Sequence, residues 1–307
     1  MKTESRLEKV LRAGHFAVTA ECGPPKGSDV SVLETKSAHL RGYVDAVNVT
    51  DNQTAIVRMS SVAACAILKG LGVEPVLQMV TRDRNRIALQ SDLFGAYALG
   101  IRNVLCLTGD HQTFGNQKQA VGVFDLDSTQ LIRTVRDMRD NGKIIGGEDI
   151  QGAPKMFIGA AENPFADPVT WRVVRLSKKI DAGVDFIQTQ CIFNVDRFSE
   201  FMHQARDMGL TQKVSILAGI TPIKSVGMAR YMATKVAGMD IPDEVIARVA
   251  GVPKDKQADE GIRIAVETIQ KVREIKGVAG IHLMAIEWEH RVPEILEAAG
   301  LEKRPEV

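Results

Sequence analysis

Several features that would settle a protein's class are scarce in this sequence of 307 residues. Cysteine occurs four times, at Cys22, Cys65, Cys106 and Cys191, and never as Cys-x-x-Cys. Scattered thiols argue for a reducing compartment and against a metal or cluster held by this chain alone. No apolar run approaches the ~18–20 residues that cross a bilayer, so a membrane is not an expected partner. No sign of charge dominates: 39 Lys and Arg against 38 Asp and Glu leave a net +1, which gives no reason to expect nucleic acid. The opening "MKTESRLEKVLRAG" lacks the apolar core of a signal peptide and instead places Leu7, Val10 and Leu11 on one stripe of a short helix. The expected location is the cytoplasm. Also absent are an interdomain linker, a Gly-x-Gly-x-x-Gly turn, a Walker loop, a nucleophilic serine elbow and a histidine pair spaced for a metal.

What the chain does contain is one pattern, repeated. A helix-like stretch ends in glycine, a few residues follow, and a short β-rich run begins, as in "LRGYVDAVNVTD", "ALGIRNVLCLTGD" and "DAGVDFIQTQCIF". Glycine just past a helix supplies the left-handed cap, and a short, wholly apolar run suits a strand buried on both faces. Eight such runs are expected, at 16–21, 46–50, 74–80, 103–108, 156–161, 186–190, 214–220 and 281–286. Helical patterns separate most of them, so the predicted architecture is a single α/β domain, a (β/α)8 TIM barrel spanning 1–307 with a short N-terminal helix. The doubly wound alternative needs fewer strands and usually a glycine-rich phosphate turn. Two connections are long. Residues 111–127 read as an irregular polar loop, and 224–279 as two or three helices in which the methionines of "VGMARYMATKVAGM" fill core.

Active sites of such barrels lie at the C-terminal ends of the strands. The residues expected there are Glu21, Thr50, Asp51, Gln78, Thr108, Gly109, Asp110, Glu162, Asn163, Gln190, Thr221 and Glu287. Carboxylates, amides and hydroxyls dominate, which suits an organic cofactor that carries the difficult chemistry. "FAVTAECGPPKG" poses the sharpest question, since an apolar strand there ends in Glu21 and two prolines follow. An ionised carboxylate is costly to bury unpaired, so Glu21 is either a rim group with a partner or a group placed for chemistry. Asp110 reads as a turn aspartate or a functional one, and Gln190 as an amide that needs a partner at the end of a buried strand. His111 reads as a loop histidine, Cys22 and Cys191 as small hydrophobes, and Lys178-Lys179 as a solvated helix end.

Taken together, the segments resemble the methylenetetrahydrofolate reductases, over nearly the whole chain. The motifs are Glu21-x-x-Pro24-Pro25 at the first strand, "VNVTDN" at the second, "LTGD" at the fourth, "SKKIDAGVDFIQTQCIFN" around the sixth and "AGITPIKS" at the seventh. The resemblance implies a flavin-dependent (β/α)8 barrel of one-carbon metabolism, serving methionine synthesis or anaerobic carbon fixation. Its reaction would be reduction of 5,10-methylenetetrahydrofolate to 5-methyltetrahydrofolate, with FAD as hydride carrier. By the same resemblance Glu21 is the general acid, Asp110 lies near the flavin and pterin rings, and Gln190 binds the folate substrate. Thr50, Gln78, Thr108, Gly109, Phe124, Asn163, Arg175 and Lys179 match the family's FAD-binding segments, with Lys179 a cation for the diphosphate.

The resemblance has departures. Many bacterial relatives have histidine where Gln78 stands, and better-known relatives carry a phenylalanine at the place of Val226 that packs the nicotinamide donor and the folate. Some members from anaerobic organisms look like this chain and work with an iron–sulfur or zinc-bearing partner subunit, whose centre the partner supplies. The expected electron source is therefore NAD(P)H or a redox partner subunit, and the expected assembly an oligomer or hetero-complex. The rival readings are another flavin barrel oxidoreductase and a non-catalytic pterin-binding barrel within a larger complex.

Overall fold

Eight short strands close on themselves in the computed structural model of the chain, which describes residues 1–236 and 238–307. The strands are β1 (Ala17–Cys22), β2 (Ala46–Val49), β3 (Pro75–Val80), β4 (Asn103–Leu107), β5 (Phe157–Glu162), β6 (Phe186–Cys191), β7 (Ser215–Ile220) and β8 (Val278–Leu283). They pair in sequence order, all parallel, and β1 closes on β8. Helix α1 (Arg6–Arg12) precedes the barrel. Then α2 (Ser31–Leu40), α3 (Ser61–Gly70), α4 (Arg86–Ala98), α5 (Ser128–Arg136), α6 (Arg172–Ala182) and α7 (Val195–Asp207) each follow one strand. The stretch from β7 to β8 holds α8 (Val226–Lys235), α9 (Asp243–Ala250) and α10 (Gln257–Glu274), and α11 (Val292–Ala298) comes last. Ala237, inside the run read as methionine-spaced helix, lies outside the described residues. Among the described residues no helix is long and apolar enough to cross a membrane.

Seven strands lie within one residue of their expected bounds, and the eighth does not. β8 starts at Val278 rather than 281, because Gly277 takes φ +95 just after α10 and turns the chain straight into the ladder. Glu287 therefore does not end a strand. It sits past the barrel rim in a left-handed conformation, φ +50.

Strand parity sorts the side chains, since residues two apart share a face. Val18, Ala20 and Cys22 of β1 pack outward in the core shared with the helices. Ala17, Thr19 and Glu21 share the opposite, inward face. The lower barrel is apolar, filled by Ala17, Ala46, Val76, Leu105, Phe157, Phe186 and Leu217, and Leu7 and Val10 of α1 close it from below. The rings of Phe157 and Phe186 stack with centroids 5.1 Å apart. Gly159 makes room for them, since a Cβ there would lie 2.3 Å from the Phe186 ring. One layer higher the interior turns polar, with Thr19, Asn48, Gln188 and His282 all buried. An apolar base and a polar upper half direct any ligand to the strands' C-terminal ends.

Buried ion pairs pin the lower rim. Asp45 and Asp185, each in a Val-Asp step just before a strand, accept the second amides of the preceding strands, Val18 N–H at 2.8 Å and Ile158 N–H at 2.9 Å. Arg304 and Arg139 pair with these carboxylates in turn. Arg139 is 1% exposed, so removing its partner strands a cation without water. Asp185→Ala is expected to lower stability by about 3 kcal/mol in equilibrium urea unfolding, with the m-value unchanged. A loss below about 1 kcal/mol would show that Asp140 alone satisfies Arg139.

Candidate active site

Glu21 stands where the expected site should be, at the top of β1 and facing the barrel axis. Two clefts meet at it. One, of about 400 Å3, is lined by Gln78, Glu162, Asn163, Arg175, Lys179, Gln190, His282 and Met284 among others. The other, of about 310 Å3, is lined by Thr50, Asp51, Asn52, Gln53, Arg82, Gly109 and Asp110 among others. Glu21, Gln78 and Leu107 belong to both and form the wall between them. The structure thus brings nine of the eleven expected site residues to one pair of clefts. Thr108 and Phe124 are the exceptions. Thr108 is exposed and accepts a hydrogen bond from Ser128 N–H at the start of α5, and Phe124 lies half-exposed in the following loop. Neither lines a cleft. Asp110 does line the second, but at its exposed rim.

Burial is the dominant influence on Glu21, and it pushes the carboxyl up to about 7. The negative charge of Glu289 pushes the same way, while the amides of Gln53 and Gln78 and the Lys36 ammonium oppose it. Gln53 Nε2 donates to Glu21 Oε1 at 3.3 Å, and His282 Nε2 lies 4.0 Å from Oε2. Burial holds His282 neutral by pushing its imidazolium down to about 3. A carboxyl poised near neutrality, bordered by neutral donors, is suited to give up a proton.

The segment after Glu21 is gripped by its carbonyls, since its two prolines have no N–H to offer. Lys36 Nζ donates to Gly23 O at 3.2 Å, Arg58 Nη1 to Pro24 O at 2.7 Å, and Met59 N–H to Pro25 O at 2.9 Å. Lys36 also pairs with Glu289 at 2.8 Å and Glu287 at 3.1 Å. The strand aims the carboxyl and this clamp fixes its exit. Gln53 is presented by a tight segment in which Asn52, Thr54 and Ala55 all have positive φ. Non-glycine residues hold that conformation only where their surroundings enforce it. Arg82 supplies part of that enforcement, donating to Asn52 O and to Asp110 O and so tying together the loops on both sides of the second cleft.

The remaining groups divide by how much bonding capacity they retain. Thr50 is 2% exposed, yet its hydroxyl has no partner among the described residues. Arg175, among the described residues, meets only the carbonyls of Ala166 and Asp167. Lys179, expected as a cation for the diphosphate, is turned inward onto buried Glu162 at 2.8 Å and Ala161 O at 2.6 Å. Gln190 accepts Cys191 N–H with its oxygen, which leaves its NH2 for a ligand. Asn163 bridges Phe165 N–H and Gly238 O. Asp51 is structural, bound by Arg84 and Val80 N–H. Cys22 and Cys191 are pushed to about 12 by burial, as small hydrophobes should be. His111 caps a short turn in the exposed loop.

Sequence reasoning passed over Thr19, Asn48, Gln188 and His282. For the first three a signal was present: in "TAE", "NVT" and "QTQ" a polar residue sits two positions before one of the chosen ones, hence on the same inward face. Lys36 and Glu289 gave no such signal, since one lies on a helix and the other in a turn far away in sequence.

With this geometry established, comparison with known proteins is specific. The family model described as methylenetetrahydrofolate reductase matches residues 6–300. A probable methylenetetrahydrofolate reductase (NADPH) of Caenorhabditis elegans is 28% identical over 249 residues, covering 80% of this chain and 35% of the relative. Methylenetetrahydrofolate reductase (NADH) 1 of Arabidopsis thaliana is 26% identical over 317 residues, covering 98% of this chain and 51% of the relative. The chain thus spans about half or less of the length of these relatives. Among solved structures, an uncharacterized protein from Clostridium thermocellum that binds two copies of 5-methyl-5,6,7,8-tetrahydrofolic acid superposes with a TM-score of 0.62 at 15% identity. The alignment covers 97% of this chain and 98% of that one, which shows a shared fold. A family match running from α1 through α11 takes in every strand and both clefts, and the chain belongs to the methylenetetrahydrofolate reductase family.

Proposed function

We propose that this chain reduces 5,10-methylenetetrahydrofolate to 5-methyltetrahydrofolate, with Glu21 as the proton donor and FAD as bound cofactor. The observation that carries the reading is the Glu21 carboxyl, buried where two clefts meet and pushed up to about 7. The methylene bridge between N5 and N10 resists hydride until the C–N10 bond opens to an iminium cation. Glu21 promotes that opening by giving its proton to N10 as the bond breaks. Two clefts sharing one acid suit a reaction that brings two large heterocycles together.

The residues present fit a flavin dinucleotide. Thr50 offers a buried hydroxyl with no partner among the described residues, a group that costs stability unless a ligand completes it. Gly109, at φ +90 with Val80 and Arg82 close by, brings bare backbone to the second cleft. Among the described residues Arg175 has no carboxylate partner, which suits it to a diphosphate. When bound, FAD would supply the hydride equivalent. Thr50, Gln78, Gly109, Asn163 and Arg175 would hold it, with Lys179 orienting Glu162 and with Thr108 and Phe124 at the outer edge of the same path. Gln190 would bind the folate through its NH2, and the Asp110 carboxylate at the rim would favour the cation that develops on the pterin. NAD(P)H or a redox partner subunit would supply electrons, in the cytoplasm.

Three outcomes test this reading. Glu21→Gln should leave reduction of the flavin intact and slow its reoxidation by methylenetetrahydrofolate at least about 100-fold, the usual range for a lost general acid. A variant that reduces folate at the parent rate would refute the assignment. Thr50→Val should weaken FAD binding about 5- to 10-fold by equilibrium titration, for the loss of one hydrogen bond of about 1 kcal/mol; unchanged affinity would place FAD elsewhere.

The third outcome concerns stability. In the unfolded chain Glu21 releases its proton near 4.5, whereas in the folded protein it keeps it up to about 7. The folded state is therefore penalised as pH rises from 4.5, and the penalty is complete above about 7. Glu21→Gln removes it, and should stabilise the protein by about 3 kcal/mol at pH 8 and scarcely at all below pH 4.5. Equal denaturation midpoints for parent and variant at pH 8 would contradict the raised carboxyl.

A further inference from the structure

Below Glu21 runs a closed chain of hydrogen bonds that the reaction as described does not use. Asn48 Nδ2 donates to Gln188 Oε1 at 2.6 Å, and Gln188 Nε2 returns a bond to Asn48 Oδ1 at 3.0 Å. Gln188 Nε2 also donates to Thr19 Oγ1 at 3.1 Å. The Thr19 hydroxyl then has one hydrogen to give, with His282 Nδ1 at 2.9 Å and Ile281 O at 3.3 Å as the acceptors in reach. Donated along the shorter contact, that hydrogen makes Nδ1 the acceptor. All four side chains are buried, and burial keeps the imidazole uncharged.

If Nδ1 accepts, the single hydrogen of the neutral ring must sit on Nε2, and Nε2 is the atom that faces Glu21 Oε2 at 4.0 Å. A glutamic acid beside an imidazole would ordinarily pass its proton to the ring. Here the ring has no vacancy, since Thr19 occupies one nitrogen and a hydrogen the other. We propose that His282, locked by Thr19 as the neutral Nε2–H tautomer, is a positioning residue that denies Glu21 an internal proton acceptor and turns an N–H dipole toward the carboxylate left after proton transfer.

This rests on the assignment of Glu21 as the acid, and it adds how the acid is kept charged with its proton in a site that also holds a histidine. The dipole acts on a carboxyl surrounded by few other charges. Lys36 from α2 and Glu289 from the turn before α11 face it, and they pair with each other at 2.8 Å. The thiols of Cys22 and Cys191 beside it stay neutral. Gln53 and Gln78 contribute amides only. All of these remain when His282 is changed, so a shift on changing it reports the imidazole.

The test needs neither folate nor turnover. Long-range 15N–1H spectra of the 15N-labelled protein resolve which nitrogen of each imidazole carries hydrogen, and His282 is assigned by the signal missing from His282→Gln. The expected result is a neutral Nε2–H ring throughout about pH 5 to 8. An Nδ1–H ring, as the opposite orientation of the Asn48–Gln188 pair would produce, overturns the proposal, and so does a ring that protonates within that range. Thr19→Val should release the lock and bring up the Nδ1–H form.

A second reading follows the Glu21 carboxyl by 13C NMR of side-chain-labelled glutamate, assigned with Glu21→Gln. Removing the dipole in His282→Leu should raise the Glu21 midpoint by about one pH unit, and His282→Gln, which keeps an N–H at the same reach, should restore it. An unmoved midpoint in a folded His282→Leu overturns the proposal; should that variant not fold, the 15N spectrum of the unchanged protein decides alone. Because both spectra are taken on resting protein, a chain that failed to reduce methylenetetrahydrofolate would leave this result intact, and the converse holds too.

Discussion

One buried carboxyl sets the terms for the upper half of this barrel. A carboxylate away from water is expensive, and a protein escapes that expense by pairing the group, by protonating it, or by surrounding it with dipoles. At Glu21 the protein declines the first. The cation within range, Lys36, is committed to Glu289 and Glu287, and Arg58 to the Pro24 carbonyl. What reaches Glu21 instead are amides and a neutral imidazole. That choice leaves the proton on the acid near neutral pH. A guanidinium in the place of Gln53 would be better for stability and useless for giving up a proton.

The same economy explains the surroundings. The apolar floor of Phe157, Phe186 and their neighbours keeps water from reaching Glu21 from below, and α1 seals that floor. The Gly23–Pro25 exit cannot donate hydrogen bonds through its prolines, so it is held by three donors acting on three consecutive carbonyls. The left-handed Asn52, Thr54 and Ala55 hold Gln53 against the acid at a cost in backbone strain that the Arg82 bridge and the adjoining loop sustain. Thr50 and Arg175 are left incomplete by the protein itself. Such groups are tolerated at the strand ends because a ligand can satisfy them there.

Much of this was legible in the sequence, for physical reasons that also mark the limits. Predominantly apolar runs after helix-capping glycines located seven strands to within a residue, because a parallel strand buried on both faces takes few polar residues. β8 slipped because glycines at 277 and 280 flank its first residues, and the Gly277 turn that starts it resembles a loop. Glu21, Gln78, Gln190 and Arg175 were placed at the clefts because strand ends and the following helices project there. Thr108 and Phe124 lie outside the cleft linings, since they follow β4 on a long excursion whose path strand periodicity does not constrain. Lys179 is at the site but faces Glu162, a pairing across 17 residues that no local pattern encodes. The Thr19–Gln188–Asn48–His282 chain joins four strands, and only barrel closure brings them together.

The central claim is that a glutamic acid poised near neutrality drives folate reduction by a flavin held in these clefts. Its most direct measurement is the rate at which photoreduced protein, supplied with FAD and kept anaerobic, is reoxidised by 5,10-methylenetetrahydrofolate at a series of pH values. The account predicts that oxidised flavin absorbance returns, at a rate level in acid that falls about tenfold per pH unit above a midpoint close to 7, where Glu21 loses its proton. Flavin that stays reduced in the presence of folate, or a rate that ignores pH across that midpoint, would contradict it.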